Sequence, residues 1–191
     1  MKGKNIENST TEKCVRKGMH SAKECAYLSA FVALAIVAQL AFSFVPGVEI
    51  VTVLFVSYSL VMGTRRGMLA ATAFSLLRVF VFGFFPTVLV LYLVYFNLLA
   101  LCFGLIGLKR RACVKTLPWL VVVACACTVC FTLIDNVITP LWYGYSVKAI
   151  KAYVLASLPF MISQVVCTAT SVALLLLPLA KAFSFAKKQL F

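Results

Sequence analysis

Apolar residues along this chain gather into six long runs, at residues 26–45, 50–62, 68–85, 88–108, 117–139 and 155–179, separated by breaks that are polar, basic or marked by Pro and Gly. A helix that crosses the hydrocarbon core of a bilayer needs roughly 20 predominantly apolar residues, so the pattern predicts six membrane spans joined by short loops. The second run is short. It is expected either to be flanked at membrane depth by the segment from Pro46 to Glu49 or to lie in a thinner, protein-lined part of the bundle. The first run has the alternative of a cleaved signal peptide, but it is longer than a signal core and five more runs follow it. The predicted fold class is an all-α integral membrane protein, a six-transmembrane-helix bundle over residues 26–180. A polar, basic tail occupies 1–25 and a basic C-terminal tail 181–191.

Composition fixes the solvent. Of the 191 residues, 63% are hydrophobic and only 12% charged, a balance that requires lipid and leaves no length for a second domain. In a soluble protein the net charge of +13 would point to nucleic acid. Here the basic residues lie between apolar runs and report topology, because loops rich in Lys and Arg stay cytoplasmic. Lys2, Lys4, Lys13, Arg16, Lys17 and Lys23 precede the first run, and Arg65 and Arg66 follow the second. Lys109, Arg110, Arg111 and Lys115 follow the fourth, and Lys181, Lys187 and Lys188 the sixth. Only Lys148 and Lys151 fall on the opposite side, and Arg78 lies inside the third run. Both termini are therefore expected in the cytoplasm, with membrane lipid and not nucleic acid as the surroundings. The stretch from Pro140 to Lys151 reads as a long outer loop whose aromatics serve either as a headgroup-level anchor or as a lid.

Charged and amide side chains in a bilayer cost several kcal/mol unless partnered, so each marks a candidate site. Gln39 falls late in the first run, Glu49 after the first outer turn, and Arg78 near the outer end of the third run. Asn97 is near the middle of the fourth, Asp135 and Asn136 are at the outer end of the fifth, and Gln164 is early in the sixth. All lie in the outer half or near the midplane. A pore needs favourable contacts along its whole length, whereas this one-sided distribution suits a pocket open to the outside. Arg78 and Asp135 are open to a second reading as a structural ion pair. Tyr92 and Tyr95 either stack on a flat ring or simply pack.

Ala22, Ala26 and Ala30, at spacing four, place a stripe of small residues on the first helix, which either lets another helix approach closely or packs within the bundle. No Gly-rich phosphate loop, His-Glu-x-x-His or Gly-x-Ser-x-Gly occurs. His20, the one histidine, lies in the tail, and five acidic residues leave few candidates for acid-base chemistry. No enzymatic activity, metal or cofactor is expected. Of the eight cysteines, Cys102, Cys125, Cys127, Cys130 and Cys167 lie in apolar runs and Cys14, Cys25 and Cys113 in basic flanks, so disulfides are not expected. The cluster Cys125-x-Cys127-x-x-Cys130 has no His or carboxylate at ligand spacing and is read as packing.

A family resemblance enters through three features. They are the basic flank leading into Ala22-x-x-x-Ala26-x-x-x-Ala30, the stretch from Phe44 through Val-Pro-Gly-Val-Glu-Ile to Gly63 followed by Arg65-Arg66, and six spans within 191 residues. In these the chain resembles the substrate-binding S components of energy-coupling factor (ECF) vitamin transporters, multi-pass proteins of the prokaryotic plasma membrane. The resemblance implies that Ala22, Ala26 and Ala30 dock on a membrane T component driven by two ATPase subunits. It also implies that a vitamin-like small molecule binds near the outer surface, at positions corresponding to Glu49, Tyr92, Tyr95, Asn97, Asp135, Asn136, Trp142 and Gln164. Arg78 joins this set from its charge and depth. The residue sets of thiamine, riboflavin or biotin binders are not seen. An arginine at this depth favours a carboxylate or phosphate on the ligand.

Two other classes compete. A stand-alone secondary transporter or channel should carry inverted repeats, and none is evident between the first and second halves. A membrane enzyme acting on lipids or peptides would need a catalytic nucleus, for which Asp135 with Asn136 is the sole candidate, without a companion base.

Overall fold

The computed structural model describes the backbone of residues 2–44, 50–109 and 113–190, and the side chains of 22–44, 50–108 and 113–189. Over the described residues the chain is all-helical, with six helices and no strand: α1 (Lys2–Phe42), α2 (Ile50–Met62), α3 (Thr64–Phe82), α4 (Pro86–Lys109), α5 (Leu117–Tyr143) and α6 (Val147–Leu190). Four stretches, Ala22–Phe42, Pro86–Leu108, Leu117–Tyr143 and Val147–Gln189, are long and apolar enough to cross a membrane, as a multi-pass membrane protein requires. Two helices fall outside that class, α2 by its length and α3 by Arg65, Arg66 and Arg78. Large apolar side chains, among them Phe80, Leu108, Val122, Leu141 and Leu155, point outward from the bundle.

The two terminal helices are longer than the apolar runs within them. α1 continues back through the basic segment to Lys2, and α6 extends past the sixth run at both ends. The long outer loop expected at residues 140–151 is not found. Pro140 sits inside the last turn of α5, Trp142 lies one residue from its end, and Lys148 and Lys151 belong to the first turns of α6. Only Gly144, Tyr145 and Ser146 connect the helices, too few to form a lid. Proline forgoes one intrahelical hydrogen bond but accepts at its own carbonyl. Here that carbonyl receives the N–H groups of Gly144 and Tyr145, and Gly144 takes the left-handed conformation (φ +62°) that ends helices.

α2, with 13 residues, rises about 20 Å, less than the roughly 30 Å of a hydrocarbon core. Nearly every side chain it carries is buried, including Thr52, Ser57 and Ser59, and it packs against α1, α3, α4 and α6. A helix apolar on all sides belongs in a core, and α2 is the axis of this one, lined by protein. Aromatic rings knit its neighbours to it. Phe31 of α1 stacks on Tyr58 with centroids 3.9 Å apart, Phe183 of α6 meets Tyr58 edge-on at 5.6 Å, and Phe74 and Phe96 flank Phe55 at 5.2 and 4.8 Å.

Gly63 alone separates α2 from α3. Its φ of +90° lies in a region that side chains rarely tolerate. Two contacts hold this end of the bundle. Lys187 of α6 donates to the Val61 carbonyl at 2.6 Å, setting a cation at the C-terminus of α2, and Arg66 pairs with Glu24 of α1 at 3.1 Å.

Candidate ligand site

Polar side chains collect at the opposite end, where α1, α3 and α5 finish and α2, α4 and α6 begin. They form two sets. In the first, the Arg78 Nε–H donates to Gln39 Oε1 at 3.1 Å, and the Gln39 amide nitrogen donates to the Tyr92 hydroxyl, also at 3.1 Å. The Arg78 guanidinium carbon lies 4.1 Å from the centroid of the Tyr92 ring and 4.9 Å from that of Phe82. Each such stacking contributes about 0.5–2 kcal/mol, more as water is excluded. α1, α3 and α4 each supply a member because Gln39, Arg78 and Tyr92 all lie within two turns of the same bundle end.

The second set is a polar seam between α5 and α6. Asp135 accepts from Thr139 Oγ1 at 2.7 Å and from the Tyr153 hydroxyl at 2.8 Å. The Asn136 amide nitrogen donates to Ser157 Oγ at 3.0 Å, Thr132 donates to Gln164 Oε1 at 3.4 Å, and Thr128 and Thr168 share a hydrogen bond of 3.1 Å. The Asn136 carbonyl oxygen is buried with no hydrogen-bond partner among the described residues.

The structural ion pair weighed for Arg78 and Asp135 is not formed. Arg78 pairs with a neutral amide and Asp135 with two hydroxyls, and Arg66–Glu24 is the ion pair among the described residues. Asn97 belongs to neither set: its amide donates to Leu93 O at 2.8 Å and accepts from Thr72 at 3.3 Å, linking α3 and α4. Tyr95 is buried in the aromatic core, 4.6 Å from Phe131. Trp142 is exposed on the last turn of α5. Glu49 lies outside the described residues. Ala22, Ala26 and Ala30 are all exposed, on the opposite side of α1 from the buried Phe31, Val32 and Ala35.

The seam partners Thr128, Thr132, Thr139, Tyr153, Ser157 and Thr168 were legible in the sequence but not singled out. Thr128, Thr132, Asp135, Asn136 and Thr139 recur at steps of three and four along α5, and Tyr153, Ser157, Gln164 and Thr168 sit at helical spacing along α6. Two polar stripes of that period predict facing helices. Among the described residues no three His, Cys, Asp or Glu side chains converge as a metal site would require, and the described cysteines are free thiols.

Asp135→Ala should lower thermal stability in detergent by about 1.5–3 kcal/mol, because the Tyr153 and Thr139 hydroxyls then lose a charged acceptor. Asp135→Asn, which keeps an acceptor, should lose less than half of that. Equal losses in the two variants would show that the charge-assisted bonds contribute nothing.

Comparison with protein-family models, with curated proteins and with solved structures finds no match. What the chain can do therefore rests on its own residues: a cationic, aromatic-walled set on α1, α3 and α4, and a hydrogen-bonded polar seam on α5 and α6, both at one end of an apolar bundle.

Proposed function

We propose that this chain is the substrate-capture (S) component of an ECF-type importer, a non-enzymatic, six-span protein of a prokaryotic plasma membrane. In this reading both termini are cytoplasmic, a vitamin-like small molecule is taken from the outer side, and a T component energised by two ATPase subunits is the partner. The observation that carries the reading is the exposure of the alanine stripe. Ala22, Ala26 and Ala30 make up a face of α1 that the bundle leaves open, while Phe31, Val32 and Ala35 take up the packing on the other side.

Lipid-facing helices gain from bulky apolar side chains, so small residues there are useful when a second helix must come close. The bundle packs without them, which removes the main reason to read the stripe as internal packing. Polar groups support the same direction. Gln39, Arg78, Tyr92, Asp135 and Asn136 gather at the end remote from the basic breaks containing Arg65, Arg66 and Lys115, as a pocket opening outward demands.

Co-expression with a T component and its two ATPases tests the reading directly. A tagged chain should retain all three through detergent extraction and size-exclusion chromatography. Uptake by the chain alone in liposomes under an ion gradient, with no complex formed, would instead establish a secondary transporter.

A further inference from the structure

An arginine carries five N–H donors in a planar fork. At Arg78 the Nε–H is committed to Gln39, and the rings of Tyr92 and Phe82 lie within 4.1 and 4.9 Å of the guanidinium carbon. The donors on Nη1 and Nη2 have no partner among the described residues. Gln39 is itself held, since its amide nitrogen is bonded to the Tyr92 hydroxyl. The guanidinium is thus oriented by neutral groups from α1, α3 and α4, and its remaining edge is the one that grips two oxygens at once.

Asp135 makes the contrast. Both of its oxygens already accept from hydroxyls, Thr139 on one and Tyr153 on the other. The seam therefore satisfies its anion internally, whereas among the described residues Arg78 has only neutral partners. An ionised side chain in a membrane bundle is costly without a partner, and no carboxylate pairs with Arg78 among the described residues.

We propose that the Nη1/Nη2 edge of Arg78 binds an oxyanion, a carboxylate or phosphate borne by the captured molecule, with Gln39 and Tyr92 as positioning residues. The aromatic rings beside it favour an anion attached to a flat ring. This rests on the capture-subunit reading only for the identity of the anion as cargo; the site itself stands on the geometry of Arg78.

The test uses the full chain in phosphatidylcholine nanodiscs, with benzoate, phenyl phosphate and neutral benzamide as probes and the thermal unfolding midpoint as the signal. Benzoate or phenyl phosphate should raise the midpoint saturably, and benzamide should not. Arg78→Gln should weaken the anion's apparent affinity by about tenfold or more, the loss of a charge-assisted pair. Arg78→Lys, which keeps charge without the fork, should fall between, and it carries the test alone if Arg78→Gln does not fold. Gln39→Leu should weaken anions while leaving any benzamide signal unchanged.

The proposal is overturned if neither anion stabilises the protein, if benzamide does so equally, or if folded Arg78 variants bind as the wild type does. Nanodiscs containing phosphatidylglycerol separate the two sources of oxyanion. If that lipid abolishes the response to both probes, the site holds a headgroup and the assignment to cargo fails. Complex formation with the T component is measured separately. A complex without anion binding removes this inference and spares the capture reading, and anion binding without a complex does the reverse.

Discussion

Gly107→Leu should leave no folded protein to purify, and Gly107→Ala should fold with its unfolding midpoint clearly lowered. A β-carbon built on Gly107 would stand 2.1 Å from the Leu60 carbonyl oxygen and 2.9 Å from its carbon, and one on Gly104 would stand 2.5 Å from the Thr64 α-carbon. These are backbone atoms at the end of α2 and the start of α3, so no side-chain rotation relieves the clash. α2 is buried on all sides, and moving it disturbs its packing with α1, α3, α4 and α6 together.

Overpacking of a close-packed interior costs typically about 1–3 kcal/mol even where side chains can adjust, so the upper end is expected for Gly107→Ala. The measurement is thermal unfolding in detergent, with the outward-facing Leu105→Ala as the comparison that should stay near wild type. A Gly107→Ala protein with an unchanged midpoint would mean that α4 does not approach α2 as closely as described. The effect on Gly104→Ala should be similar and, since both glycines face one turn, the double variant should lose less than the sum of the two.

Much of this architecture is legible in the residues because a bundle in lipid is governed by run length. The limits of α2 and the start of α5 coincide with the apolar runs at 50–62 and 117–139. The helix ends that differ do so for local reasons. Run length cannot see Pro140 continuing a helix, because hydropathy carries no record of which backbone groups pair. Nor can it see α1 reaching Lys2, because extending an existing helix costs far less than starting one and does not require apolar residues.

Side-chain partners were harder. Depth placed Arg78 and Asp135 near the same end, but which helix each faces depends on rotation about α3 and α5. That rotation is set by packing around Phe74 and Thr128, not by the sequence of either helix alone. The threonine stripe of α5 held that information, and it is masked by the apolar character of threonine in a hydropathy reading. Gly104 and Gly107 were silent for a different reason: a glycine signals close approach only when its neighbour is known.

On the capture-subunit reading, Ala26→Trp and Ala30→Trp should abolish uptake while leaving the protein folded and the Arg78 site competent. Both alanines are exposed, so a large ring there meets lipid in the isolated chain and disturbs no internal contact. The packed face of α1, with Phe31, Val32 and Ala35 buried, is untouched, and unfolding midpoints should match wild type.

A partner helix is affected differently. Small residues in membrane interfaces permit close backbone approach, and an indole at the crossing point forces the helices apart. Overpacking by about 1–3 kcal/mol corresponds to affinity weakened by roughly tenfold to a hundredfold, enough to lose the T component during purification and growth on trace vitamin in cells. Ala30→Ser, still small, should retain both. The separation of the two readouts is the decisive feature: a docking face loses the complex and keeps anion binding, whereas a stripe that packs internally loses stability first. Trp variants that keep the full complex and wild-type uptake would remove α1 as the docking helix.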